Sequence, residues 1–100
     1  MNDEAIRRVF VRGRVQGVGF RAWVAEEAAS RGLAGWVRNR RDGSVEALFA
    51  GALKTVMGMI EVCEQGPLAA RVTSVTTAEA RAADLELRQT GQRFSVLPTV

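Results

Sequence analysis

The 100-residue sequence contains no histidine and no tyrosine, one cysteine (Cys63) and two prolines. Each shortage removes a class of chemistry. Without histidine and with a single thiol there is no zinc cluster, no Ser-His-Asp or Cys-His nucleophile, and no imidazole acid or base working near neutral pH. Any catalysis has to run on arginine, carboxylates, amides, hydroxyls or backbone groups. One cysteine closes no intramolecular bridge, so nothing ties the chain to an oxidising compartment, and a reducing cytoplasm fits. No apolar run approaches the roughly 18 residues of a membrane span. Acids in Met1-Asn2-Asp3-Glu4 stand where an export signal carries bases. A cytoplasmic protein without a membrane partner is expected.

What the chain does contain is 47% hydrophobic and 25% charged residues, the balance of one soluble domain spanning residues 1–100. A domain of this size buries roughly 60–65% of the surface its unfolded chain exposes, enough for one two-layer core. Large cofactor folds are excluded, and no cofactor is expected. Fourteen basic against eleven acidic residues give a net charge of +3, and every basic residue except Lys54 is arginine. Their placement says more than their sum. Arg7, Arg8, Arg12, Arg14, Arg21, Arg31, Arg38, Arg40 and Arg41 crowd the first 41 residues, where few acids stand beyond Glu26 and Glu27. That half of the chain looks built to meet an anion.

Turn signals divide the chain into elements. Ile6 to Arg14 alternates β-branched and charged residues and predicts a half-buried strand. Gly17 and Gly19 mark a tight loop, and Phe20, Trp23, Val24 and Ala28 then recur at helical spacing until Gly32. Gly35–Asn39 and Ser44–Phe49 are strand-like runs joined by Arg40-Arg41-Asp42-Gly43, and Asp-Gly between such runs predicts a hairpin. Leu53, Val56, Met57, Ile60 and Cys63 trace a second helix stopped by Gly66-Pro67. Arg71–Thr77 reads as a strand, Phe94–Leu97 as a short last one, and the stretch from Glu79 to Gln92 carries no readable pattern. The order β-α-β-β-α-β is the split βαβ, ferredoxin-like arrangement, an α+β fold with a four-stranded antiparallel sheet and both helices on one face.

Gly17-Val18-Gly19-Phe20-Arg21-Ala22 formally matches the G-x-G-x-x-A dinucleotide fingerprint. The match fails on context, because that fold needs a parallel strand after the helix whereas Asp42-Gly43 turns the chain straight back. The physics of the loop survives. Glycine-rich N–H groups leading into a helix N-terminus form a concave, positively polarised anion site. Arg21 stands in the first helical turn, where the macrodipole disfavours a cation unless something negative faces it. Locally, the glycines equally suit a plain strand-to-helix turn with Arg21 in water, and Asn39 suits a residue bonding its own turn. Trp23 and Trp36 read as core or sheet-face aromatics, Cys63 as a small buried hydrophobe, and Arg38, Arg40 and Arg41 as a solvated hairpin face that steers anions.

The wider pattern decides between these readings. Val11-Arg12-Gly13-Arg14-Val15-Gln16-Gly17-Val18-Gly19-Phe20-Arg21 resembles the first motif of the acylphosphatase family. Gly35-Trp36-Val37-Arg38-Asn39, followed by Gly43, Val45 and Gly51, resembles the second at the family's spacing. The resemblance implies hydrolysis of the carboxyl–phosphate bond of small acyl phosphates, such as acetyl, carbamoyl or glyceroyl phosphate, to a carboxylate and inorganic phosphate. It implies no metal. The phosphate would be held by Arg21 and by backbone amides of Val15, Gln16, Gly17, Val18, Gly19 and Phe20, while Asn39 would orient the attacking water. Phe94–Val100 is a poor copy of the family's closing strand, which usually ends in aromatic or basic residues.

The alternative is a non-catalytic module that binds phosphate or acyl phosphate, since the same fold hosts RNA-binding domains and opens the large hydrogenase-maturation carbamoyltransferases. Six aromatic residues, several at core positions, are too few for an RNA-stacking sheet, so no nucleic-acid partner is expected. The transferase regions do not fit in this length. A monomer is expected.

Overall fold

The computed structural model describes residues 3–100. Strand β1 (Glu4–Arg14) leads through the glycine loop into helix α1 (Phe20–Ser30), followed by the β2 (Ala34–Asn39) and β3 (Val45–Ala52) hairpin. Helix α2 (Leu53–Gln65), strand β4 (Arg71–Glu79), a 3-10 turn over Ala82–Leu87 and strand β5 (Phe94–Val96) complete the chain. The sheet order is β4-β1-β3-β2-β5. The first four strands pair antiparallel, as the element order predicts, but β5 adds a fifth strand parallel to β2, with Val37 beside Val96. The sheet is therefore five-stranded and mixed, and the expected four-stranded antiparallel sheet is corrected by one edge strand. The cause is a long-range pairing: Leu97 N–H donates to the Val37 carbonyl at 2.8 Å and Gly35 N–H to the Arg93 carbonyl at 3.0 Å, giving the open edge of β2 a partner.

Alternation along the strands sends two sets of side chains to two faces. Val9, Val11, Val37, Val45, Ala47 and Phe49 meet α1 through Phe20, Val24 and Ala28, and α2 through Val56, Met59, Ile60 and Cys63. In α2 the inward methionine is Met59 rather than Met57, which is half exposed, because 56, 59, 60 and 63 share one helical face. The other face holds Trp36, Leu48 and Leu97, against Ile6, Ala80 and Leu85. The 3-10 turn covers that cluster, and Trp36 Nε1 donates to the Asp84 carbonyl at 2.8 Å. The unpatterned stretch after Glu79 thus serves the core, because its irregular backbone roofs one large indole, a role that neither a helical nor a strand period encodes.

Gly35 is a position where backbone room matters. Its φ is +144°, and a Cβ there would collide with the Leu48 backbone carbonyl across the β2–β3 ladder. The second motif begins with glycine because the two strands approach too closely there for any side chain.

Candidate active site

The loop between β1 and α1 turns on two left-handed glycines, Gly17 (φ 74°) and Gly19 (φ 78°). Gly19 is also the N-cap of α1, which has neither a side-chain cap nor an acid in its first turn. The first intrahelical bond runs from Trp23 N–H to the Gly19 carbonyl at 3.0 Å, so the N–H groups of Phe20, Arg21 and Ala22 have no intrahelical acceptor. These residues border a pocket of about 300 Å³ lined by Val15, Gly17, Gly19, Phe20, Arg21, Ala22, Asn39 and Val96. Arg21 and Asn39, 18 positions apart in sequence, thus meet at one cavity.

Asn39 reaches the pocket from the last position of β2, on the same side of the strand as the buried Val37. Its surroundings are firmly tied. The Asp42 carboxylate accepts from the Ser44 hydroxyl at 2.6 Å and from Ser44 N–H at 2.9 Å, closing the β2–β3 turn. The same bonds hold the Asp42 pKa below its ordinary value. Gln16 then joins loop to hairpin: its Nε2 donates to the carbonyls of Arg40 (2.7 Å) and Ser44 (2.8 Å). Val100 completes the enclosure from the edge, donating its N–H to the Asn39 carbonyl at 3.1 Å and accepting from Arg41 N–H at 2.8 Å.

The reading of Arg38, Arg40 and Arg41 as one solvated face holds for Arg41 alone, which is exposed. Arg38 Nε (2.8 Å) and Arg40 Nη1 (3.0 Å) both donate to one oxygen of Glu46, a carboxylate 1% exposed, while Arg8 lies 3.6 Å from the other oxygen. Arg38 also stacks on Trp36, 4.6 Å from the ring centroid. The reason is strand parity. Positions 38 and 46 are paired neighbours on the face opposite the helices, so the carboxylate of β3 neutralises the guanidinium of β2 across the ladder.

Acids from the later chain similarly answer other arginines of the basic N-terminal half: Glu79 meets Arg7 and Asp84 meets Arg8, while Glu27 meets Arg31 within α1. Among the described residues Arg21 makes no ion pair. Its guanidinium and the uncapped amides around it form a cationic site suited to a tetrahedral anion. No group of three acidic, cysteine or histidine side chains that could hold a metal ion occurs among the described residues. Burial pushes the Cys63 thiol up to about 12, which leaves it protonated and inert within α2.

Of the residues proposed from the sequence, Val15, Gly17, Gly19, Phe20, Arg21 and Asn39 line the pocket, whereas Gln16 and Val18 do not; sequence reasoning misses Ala22 and Val96 in the wall, the Gln16 side chain as a tie, and the buried Glu46. Glu46 carried a readable signal, an acid opposite an arginine across a predicted hairpin. Val96 carried none, since the parallel pairing of β5 is a tertiary event.

A family model described as Acylphosphatase matches residues 7–95. The chain belongs to the acylphosphatase family. It is 62% identical over 98 residues to an acylphosphatase of Bradyrhizobium diazoefficiens, a match covering 98% of this chain and 99% of that one. The crystal structure of acylphosphatase from Bacillus subtilis superposes with a TM-score of 0.79 at 41% identity, covering 92% of this chain and 97% of that chain. An acylphosphatase from Coxiella burnetii superposes with a TM-score of 0.82 at 33% identity, covering 95% of this chain and 94% of that chain. Acylphosphatases are enzymes that hydrolyse acyl phosphates, and the absence of histidine from this chain is no obstacle to that reaction. The leaving carboxylate has a pKa near 4–5, like Asp and Glu side chains, and departs without a strong general acid.

Proposed function

We propose that the pocket performs metal-independent hydrolysis of small acyl phosphates, with Arg21 and the backbone amides of Val15 to Phe20 holding the phosphoryl group and Asn39 orienting water. The reading rests on one observation: Arg21, Asn39, Gly17 and Gly19 line a single cavity at an uncapped helix N-terminus. Water attacks phosphorus, the bond from phosphorus to the carboxyl oxygen breaks, and the carboxylate leaves with the electron pair. The proton of the water passes to a phosphoryl oxygen, so acyl phosphate and water become carboxylate and inorganic phosphate without a protein base. Such a reaction has a loose transition state, and positioned positive charge supplies most of its catalysis. Acetyl, carbamoyl and glyceroyl phosphate are the proposed substrates. Residues 1–100 act on them as one domain, monomeric and cytoplasmic, with neither a nucleic-acid nor a membrane partner.

The test is benzoyl phosphate hydrolysis followed by absorbance in EDTA. Arg21→Ala is expected to lose phosphate affinity and turnover together. Asn39→Ala is expected to lower kcat by about 10²–10³-fold, the range for removing one transition-state donor. Inhibition by inorganic phosphate should survive in Asn39→Ala, because that amide acts on water rather than on the phosphoryl group. Wild-type turnover in Asn39→Ala would refute the mechanism. An absence of turnover in the wild type, with phosphate still bound, would make the chain a binding module.

A further inference from the structure

The proposed mechanism uses the backbone of the phosphate loop and leaves the one polar side chain within residues 15–20 without a role. Val15 and Gly17 line the pocket, and Gln16 between them does not. Its Nε2 instead spends both hydrogens on the neighbouring hairpin, donating to the Arg40 carbonyl at 2.7 Å and to the Ser44 carbonyl at 2.8 Å. Each of these carbonyls already accepts a backbone N–H of the turn, Arg40 from Gly43 at 3.1 Å and Ser44 from Arg40 at 2.9 Å. Together with the bonds from Ser44 to the Asp42 carboxylate, they close the turn without help from Gln16. What Gln16 adds is a connection between two elements that are built separately.

That connection stands where the sheet supplies none. The β1–β3 ladder ends at the pair of Val11 and Val45, whereas Arg12, Gly13 and Arg14 pair with β4. Beyond Arg14 the chain leaves the ladders altogether. Among the described residues the two Gln16 bonds are the hydrogen bonds that join residues 15–19 to residues 39–44. Val15 shares a core cluster with Val45, but apolar packing is non-directional and fixes no register. The tie is short at both ends: Gln16 precedes Gly17, which lines the pocket at a φ of 74°, and Arg40 follows Asn39. We infer that Gln16 is a positioning residue, whose amide sets the phosphate loop against Asn39 and so the line from water to phosphorus. The inference rests on the proposed roles of the loop and of Asn39. A primary amide suits the task, because both partners are carbonyl oxygens and it offers two N–H donors on one neutral, planar nitrogen. Attack in line with the leaving group tolerates little error, and a misplacement of ~1 Å costs about 10²-fold.

The experiment follows benzoyl phosphate hydrolysis in the wild type, Gln16→Met, Asn39→Ala and the double variant, with inhibition by inorganic phosphate measured in each. Methionine keeps the reach of glutamine and removes both donors. Gln16→Met is expected to lower kcat by about 10–100-fold. Its phosphate inhibition constant should change less than about threefold, because Arg21 and the loop amides remain. In the Asn39→Ala background the same substitution should cost less than about threefold in kcat, since residues that act as one unit are not additive. Gln16→Glu, whose ionised carboxylate donates to neither carbonyl, should repeat this pattern with a polar side chain, and tryptophan fluorescence checks that each variant is folded. Unchanged turnover in Gln16→Met, equal losses of kcat in both backgrounds, or phosphate inhibition weakened as much as turnover would overturn the inference and leave the enzyme reading intact. Failure of both Gln16 variants to fold would overturn it as well, since the side chain would then be a strut of the fold. Wild-type turnover in Asn39→Ala overturns the reading itself and the inference with it.

Discussion

Replacing Glu46 by alanine should cost more stability than any other single change at an acid in this protein. Its carboxylate is 1% exposed and receives Arg38, Arg40 and Arg8 at 2.8, 3.0 and 3.6 Å. Removing one partner of a buried ion pair costs about 3–5 kcal/mol, because the remaining charge is left uncompensated. Here the three arginine side chains are 17%, 37% and 30% exposed, so water takes up part of the loss. The low end, about 3 kcal/mol, is the expected value. For about 100 residues, at ~4–8 °C per kcal/mol, that lowers Tm by ~12–24 °C. Urea denaturation followed by tryptophan fluorescence is a direct assay, since Trp36 lies against Arg38. Glu46→Gln preserves shape and should lose less than Glu46→Ala. Arg38 and Arg40 flank Asn39, so both variants should lower kcat more than they weaken phosphate inhibition. A loss below about 1 kcal/mol, with a strong dependence on salt, would mean that the arginines simply turn to solvent and that the cluster is a screened surface network.

Two further perturbations test the frame around the site. Gly35→Ala, which drives a Cβ into the Leu48 carbonyl at a φ of +144°, should destabilise the protein by roughly 2–6 kcal/mol from strain and overpacking; a midpoint unchanged in urea would refute the close approach of β2 and β3. Cys63 should resist a disulfide reagent at pH 8 while folded and react at once in urea. Its pKa rises from 9.0 to about 12 on folding, so the unfolded chain releases the proton first. The stability this group contributes is complete below about pH 9 and is lost as pH rises towards about 12, a slope that Cys63→Ala should flatten.

How legible the molecule was depended on the range of the interactions. Val9, Val24, Val56 and Asp42-Gly43 announce their elements because strand alternation, helical spacing and hairpin turns are properties of neighbouring residues. The loop glycines and Arg21 announce an anion site for the same reason: an uncapped helix N-terminus and a cation in its first turn are local facts. Most of what escaped comes from afar. The parallel seating of Phe94–Val96 on β2 and the roof of Ala82–Leu87 over Trp36 each depend on which distant elements become neighbours. No period in the chain encodes that. Glu46 opposite Arg38, by contrast, was legible across the predicted hairpin and simply went unread.

The charge distribution joins these observations into a reason for the site. The arginines that crowd the N-terminal half look interchangeable in sequence, and most are answered: Glu46 binds Arg38 and Arg40, Asp84 binds Arg8, Glu79 approaches Arg7, and Glu27 binds Arg31. No such pairing reaches Arg12, Arg14, Arg21 or Arg41 among the described residues, and of these four Arg21 is the one that lines the pocket, where the α1 dipole makes a cation unfavourable. A carboxylate there would relieve that tension and occupy the place proposed for the phosphoryl group. On the proposed reading, leaving it out keeps the place open for a phosphoryl group, and part of the binding energy would come from offsetting a cation set in the first turn of α1. Arg21→Lys tests this directly. A lysine keeps the charge in the same turn but not the planar fork, so phosphate inhibition should weaken less than in Arg21→Ala, and turnover should remain well below wild type because bidentate contact is lost. If lysine restored full turnover, point charge alone would suffice, and the fork geometry of the guanidinium would have no part in the reaction.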